Sequence, residues 1–279
     1  MIEMKSYAVR YSLCLSALVL LTTLPALAQQ SLGLSTNSKE PVEITADRSL
    51  EWHRAEQRFL AKSNAKAKQG EASIRGDMLV ADYRDGQSSS MEIYMLKAIG
   101  GVVLNSADNT AYGDEAIYDL DKGLATLTGE DLKMISPDQT VTAQDRFEYM
   151  TEQGLVNAIG GAKVVRPKLD GSGVDTLEAD KITAQLAENA VSGKREVETI
   201  EAFGNVVITT PTEVITGKYG IYRSQSNKAE LQGGVRILRG PNILEGERAE
   251  VDLNTNISKI FGSKASGGQV KGVFYPNSR

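Results

Sequence analysis

The side chains able to do chemistry are few and poorly placed for it. His53 is the only histidine in 279 residues, so a Ser-His-Asp relay would have to recruit that one ring, and a histidine-held metal site would lack companions. Beside Trp52 it reads as an ordinary exposed polar residue. Cys14 is the only cysteine and falls in the leader described below, which leaves no thiol or disulfide for the chain that follows. Carboxylates are plentiful and could pair as in glycosidases, yet Asp47, Asp77, Asp114 and Asp180 return in register with one sequence pattern, which marks them as turn or bulge residues. Lys62, Asn64, Lys66 and Lys68 alternate with Ala61, Ala65 and Ala67. That row could bind phosphate, but the solvated face of a strand is the simpler account. No phosphate loop or nucleotide fingerprint occurs. No catalytic residue, metal ligand or cofactor is expected.

The elements that would position any site come from a repeat. The stretch 99–120, IGGVVLNSADNTAYGDEAIYDL, contains two alternating apolar runs separated by Asp108-Asn109 and closed by Asp121-Lys122-Gly123. Two such runs bounded by turn residues predict a β-hairpin, with the first strand opening at Ala98-Ile99-Gly100. That glycine returns as Gly129, Gly160, Gly204, Gly233 and Gly262, at spacings of 29, 31, 44, 29 and 29 residues. A fixed period of this size marks stacked copies of one supersecondary unit. The long spacing is one period plus 15 residues, placed by their polarity in 166–175 and 188–198. Pro137, Pro167, Pro211 and Pro241 each follow their glycine by seven or eight residues, where they break the ladder between strands.

A second motif runs through Gly76-Asp77, Gly113-Asp114, Ala179-Asp180, Gly217-Lys218 and Gly246-Glu247. Apolar residues fall two positions before it and three and five after, so the inward face changes by one residue at that step. A β-bulge or sharp bend makes such a change. The copies at Ala46 and Ala143 instead keep apolar residues four and six positions later, Leu50 and Trp52 or Phe147 and Tyr149. Val102, Leu104, Val164, Val206, Ile208, Val235 and Ile237 share one parity relative to their glycines. Tyr118, Leu120 and Tyr222 extend the same apolar face. In a closed sandwich these residues are core; in an open roll they line a trough.

Composition agrees with a globular β protein, at 41% hydrophobic and 24% charged residues. The formal net charge of −5 argues against a nucleic-acid partner. Lys5 and Arg10, an apolar run from Leu13 to Leu21, and Ala26-Leu27-Ala28 make a cleavable secretory signal over 1–28. A polar arm over 29–40, a β domain over 41–275, whose end includes one last short strand in 269–275, and a tail over 276–279 complete the expected organisation.

The PVEITAD opening at 41–47, the repeated A-x-G-x-V-x-[VIL], G-D-x-A-x-Y-D and LTG phrases, and VTAQDRFEY at 141–149 resemble the OstA-like family over roughly residues 41–262. The resemblance implies a twisted, open β-jelly roll in the periplasm, with lipopolysaccharide acyl chains held on its apolar inner face. It also implies a bridge between an inner-membrane lipopolysaccharide transporter component and an outer-membrane translocon. An open sheet leaves edge strands, here predicted at Val42 and Ile44 and at Val251, Leu253, Ile257 and Ile260, and these permit head-to-tail homo-oligomers. A parallel β-helix acting on polysaccharide is the competing architecture, although its coils run about 20 to 25 residues.

Overall fold

The computed structural model describes residues 41–86, 91–106, 109–168, 170–188, 195–252, 254–255, 257–263 and 268–276. The expected leader, the arm, Asp108 and Leu253 lie outside them. Eighteen strands form one sheet, and every strand pairing is antiparallel. That excludes the parallel β-helix.

In chain order the strands are β1 (Glu43–Thr45), β2 (Ser49–His53), β3 (Arg58–Gln69), β4 (Ala72–Asp85), β5 (Met91–Ser106), β6 (Asn109–Asp119), β7 (Leu124–Thr128), β8 (Lys133–Ile135) and β9 (Thr140–Thr142). There follow β10 (Arg146–Met150), β11 (Leu155–Pro167), β12 (Val174–Glu188), β13 (Arg195–Thr209), β14 (Val214–Arg223), β15 (Lys228–Arg239), β16 (Asn242–Asp252), β17 (Ile257–Phe261) and β18 (Lys271–Val273). Each lane pairs with the next as a meander. Four lanes are split in two, so β1 and β2 both lie along β3, β7 and β8 along β6, β9 and β10 along β11, and β17 and β18 along β16.

The repeat is the hairpin of two long lanes, but its glycine does not open a strand. β5 begins at Met91 and continues through Gly100 and Gly101, so the expected start at Ala98 is corrected to mid-strand. The reason is the bulge. Between Ile99 and Val102 two residues of β5 face only Asp114 of β6, and both glycines have positive φ, 78° and 52°. The same step recurs at Ser63-Asn64, Gly160-Gly161, Gly204-Asn205 and Gly233-Gly234. The inserted residue therefore sits on the strand with the left-handed pair, and the change of face appears on its neighbour. In β6 the inward residues are Ala111 and then Ala116, while in β5 they are Ala98 and then Val102.

The copies at Ala46 and Ala143 keep their parity because they carry one residue more. Three residues separate Ala46 from Leu50 and Ala143 from Phe147, which equals the three on the bulged partner, and the ladder is interrupted there. Asp47 and Arg48 still donate their amides to the carbonyls of Ser63 and Lys62, at 2.9 and 3.1 Å.

A bulge bends its strand. Aligned across the lanes, the bulges crease the sheet into two wings. Residues from both sides of the crease belong to one hydrophobic cluster, including Ala67, Leu104, Ile208 and Ile237 from one wing and Ala61, Ala98, Leu127 and Leu231 from the other. Pro137, Pro211 and Pro241 lie between strands and Pro167 ends one, as their phase predicts. The additional residues of the long period go largely into strands, since β12 and β13 have 15 residues each against 10 in β14. The expected placement in polar loops at 166–175 and 188–198 is corrected, because β12 begins at Val174 and β13 at Arg195, and residues 189–194 lie outside the described residues.

Candidate functional site

In the N-terminal half the wings stand apart around a cavity of about 460 Å³, within the range of small-molecule sites. One wing supplies Ile44, Ala67, Ile74, Leu104, Ala111 and Met134; the other supplies Leu50, Phe59, Leu79, Leu96, Tyr118, Leu127, Phe147 and Tyr149. In the C-terminal half the same inner face leaves about 20 Å³ among Leu177, Ile200, Val206, Ile208 and Leu231. Side-chain volume accounts for much of the difference. Inner positions on either side of the turns are Ala67, Ile74, Leu104 and Ala111 in the first half, but Leu177, Ile208, Ile215 and Ile237 in the second. Packed aliphatic side chains leave no void large enough for a ligand.

The inner-face residues singled out from sequence are thus divided. Leu104, Tyr118 and Leu120 line the cavity. Val206, Ile208, Tyr222, Val235 and Ile237 are buried in the tightly packed half, and Val102 is buried beside its bulge. Val164 packs against the same cluster. Sequence reasoning did not select Phe59, Leu79, Leu96, Met134 or Phe147, which line the cavity too. The alanine-rich inner face of β3 was the available signal for space.

Large apolar side chains stand at the cavity's margin, with Leu50 60% and Met91 51% exposed. Trp52 stacks on Phe59 with ring centroids 5.5 Å apart, and Phe59 meets Tyr83 in a tilted contact at 5.2 Å. The Trp52 indole donates to the Tyr83 hydroxyl at 2.9 Å, and the Arg54 guanidinium lies 4.2 Å over its ring. The opposite, turn-side end of the inner face is polar. Gln69, Ser106, Ser136, Arg166, Asp175, Thr210 and Glu213 are all buried there. Arg166 faces Asp138 at 3.7 Å, Lys168 faces Asp175 at 3.4 Å, and Arg239 faces Glu213 at 3.3 Å. Burying charge is tolerable only with such partners, and the band ends the apolar interior on that side.

The aspartates that repeat in register serve the crease. A methyl group on Gly100, Gly160 or Gly204 would overlap the carboxylate of Asp77, Asp145 or Asp180 respectively. Asn205 donates from its side-chain amide to both Asp180 carboxylate oxygens, at 3.1 Å each. His53 contacts Glu51 at 2.8 Å and Glu56 at 3.9 Å. Lys62 also reaches Glu51, at 2.9 Å. Hydrogen bonds from His53, Lys62 and Ser49 lower the Glu51 carboxyl pKa to about 2. Lys66 and Lys68 face solvent. Among the described residues no group of three or more His, Cys, Asp and Glu side chains could hold a metal ion.

Among the described residues the two edges of the sheet are open. β1 and β2 pair only with β3, and β17 and β18 only with β16. Ile44, Ile257 and Ile260 lie on those edge strands and Val42 just precedes β1, with Val42 46% and Ile257 53% exposed. Val251 lies one lane in, paired with Ala229 and Ser258.

A comparison with curated protein sequences finds no match. Among solved structures, the chain is similar to LptH from Pseudomonas aeruginosa, described as the LptA homologous periplasmic component of the conserved lipopolysaccharide transport device. The identity is 11%, 85% of this chain and 96% of that chain are covered, and the TM-score of 0.20 is too low to carry an argument. The sequence profile described as LptA/(LptD N-terminal domain) LPS transport protein matches residues 43–155 and 172–257, most of the described sheet. With that match the chain belongs to the LptA/LptD N-terminal family of lipopolysaccharide transport proteins.

Proposed function

We propose that this chain is a non-enzymatic periplasmic component of lipopolysaccharide transport, and that acyl chains occupy the cavity between the wings of its N-terminal half. The observation that carries this reading is the cavity itself: an apolar space of about 460 Å³ in a member of a family of lipopolysaccharide transport proteins. Burial of apolar area drives acyl insertion, at about 0.8 kcal/mol per methylene removed from water. Leu104, Tyr118 and Leu120 are then acyl contacts. Val102, Val164, Val206, Ile208, Tyr222, Val235 and Ile237 continue the same face, and a chain reaches them only where the wings part.

The open edges support assembly by strand addition, in which backbone amides and carbonyls left unpaired at one edge meet those of another sheet. Val42, Ile44, Ile257 and Ile260 belong to this contact. Val251 supports it from the last long lane, and Leu253, expected beside it, lies outside the described residues. Its partners are an inner-membrane transporter component at one end, an outer-membrane translocon at the other, and further copies joined head to tail.

The test is photo-crosslinking in cells that make lipopolysaccharide. A benzophenone side chain at Leu104 or Tyr118 should capture the glycolipid, and one at the solvent-facing Lys66 should not. Equal labelling at all three positions, or none at Leu104 and Tyr118, sinks the reading.

A further inference from the structure

Among the described residues the part-buried arginines follow a rule with one exception. Arg58, Arg84, Arg146, Arg166, Arg239 and Arg248 each face a carboxylate within ion-pair distance. Arg195, the first residue of β13, is also part-buried, but it donates from Nη1 only to neutral oxygens, the Tyr149 hydroxyl and the Thr151 carbonyl, each at 2.7 Å. Glu188 is its cross-strand neighbour, and no ion pair joins the two among the described residues. Neutral acceptors fix the guanidinium in place without neutralising it, and the rest of its planar set of donors is left for another acceptor. The position of Arg195 gives that acceptor a setting, because Tyr149 lines the apolar cavity. A fixed guanidinium that faces no carboxylate therefore stands directly behind Tyr149, one residue back from the cavity lining.

We infer that Arg195 binds an anionic group, a phosphate monoester, on the lipid whose acyl chains fill the cavity. This rests on the lipid-carrier reading above and adds a polar determinant to it. Arginine suits the task, since its fork can meet two phosphate oxygens at once in charge-assisted hydrogen bonds. Tyr149 and Thr151 hold the fork before the ligand arrives, so little side-chain entropy is lost on binding. The acyl chains supply affinity through burial, and Arg195 makes the site prefer phosphorylated lipids over neutral ones.

Trp52, the only tryptophan in the chain, stacks on cavity-lining Phe59 and reports occupancy by its fluorescence. The full secreted protein is titrated with phosphorylated lipid A, with the same lipid after phosphatase treatment, and with inorganic phosphate alone. The wild type should bind the phosphorylated lipid roughly tenfold tighter than the dephosphorylated one, as expected for a charge-assisted bidentate contact. Arg195→Gln should equalise the two while leaving the affinity for dephosphorylated lipid unchanged, which also shows that the variant is folded. Arg195→Lys should keep part of the preference. The inference is overturned if the wild type binds both lipids equally, or if the preference survives in Arg195→Gln. Binding of inorganic phosphate alone with the same dependence on Arg195 would identify a free-phosphate site and overturn the lipid assignment. Failure of the wild type to bind either lipid would overturn the carrier reading as well, an outcome distinct from equal binding.

Discussion

Replacing Gly233 by alanine should destabilise this protein much more than the same change at Gly234, although the two residues are adjacent in one bulge. Both have left-handed backbone, with φ of 86° and 70°. A Cβ in that region costs about 1–2 kcal/mol. Alanine recovers about 0.4–1 kcal/mol by narrowing the unfolded ensemble. At Gly234 nothing lies within 4 Å of the added methyl, so its net cost should be about 1 kcal/mol or less. At Gly233 the methyl meets Lys218 Cβ at 2.7 Å and Cγ at 3.0 Å. Those atoms are the root of a side chain anchored to the neighbouring strand and cannot swing away, so an overpacking cost of about 1–3 kcal/mol is added. The expected total is about 2–4 kcal/mol. Urea denaturation followed by far-ultraviolet circular dichroism measures both, provided the m-value is unchanged. In a Lys218→Gly background the additional cost of Gly233→Ala should largely vanish. Equal losses at Gly233 and Gly234, or a Gly233→Ala penalty that persists without the Lys218 side chain, would refute the claim that the neighbouring strand closes over the crease.

Two other outcomes follow from the edges and the charges. Removing residues 256–279 deletes β17 and β18 and should shift concentration-dependent assemblies toward monomer in sedimentation; a truncated chain that assembles as well as the intact one disproves edge pairing. The Glu51 carboxyl falls from 4.5 to about 2 in the fold. Its contribution to stability is therefore present above about pH 4.5 and lost as the pH falls toward 2. Glu51→Gln should flatten the pH dependence of the thermal midpoint in that window, and an unchanged slope would show that these exposed contacts contribute nothing.

Much of the fold was legible because the repeat is long, regular and punctuated. The period, the inter-strand prolines and the inward parity of Val102, Leu104, Val206 and Ile208 all reflect local chemistry: alternation for a pleated strand, proline where no ladder hydrogen bond is needed. The meaning of the glycine was harder to read. A glycine between apolar runs signals a strand start or a mid-strand bulge equally well, and the choice depends on whether the partner strand continues past it. Parity alone did place the change of face at the Gly-Asp step. It could not show that the inserted residue lay one lane away, because a bulge is a mismatch between two strands and no single strand contains it.

The cavity was hidden for a different reason. Inward parity identifies which residues leave water, but two facing surfaces are needed to decide whether they touch. The crease turns the wings to face each other along the whole sheet, so every inward residue is a candidate for either core or trough. Volume decides between them: Ala67 and Ala111 leave space between the wings of the first half unfilled, whereas Ile208, Ile215 and Ile237 fill the second. The crease also separates two requirements that a barrel joins. A barrel hides its apolar face by pairing its first and last strands, which removes both edges. This sheet hides the same face by folding across its strands, so among the described residues β1 and β2 at one end and β17 and β18 at the other keep unpaired backbone. An apolar interior and two open edges can therefore coexist in one chain, as the proposed head-to-tail assembly of a lipid carrier requires.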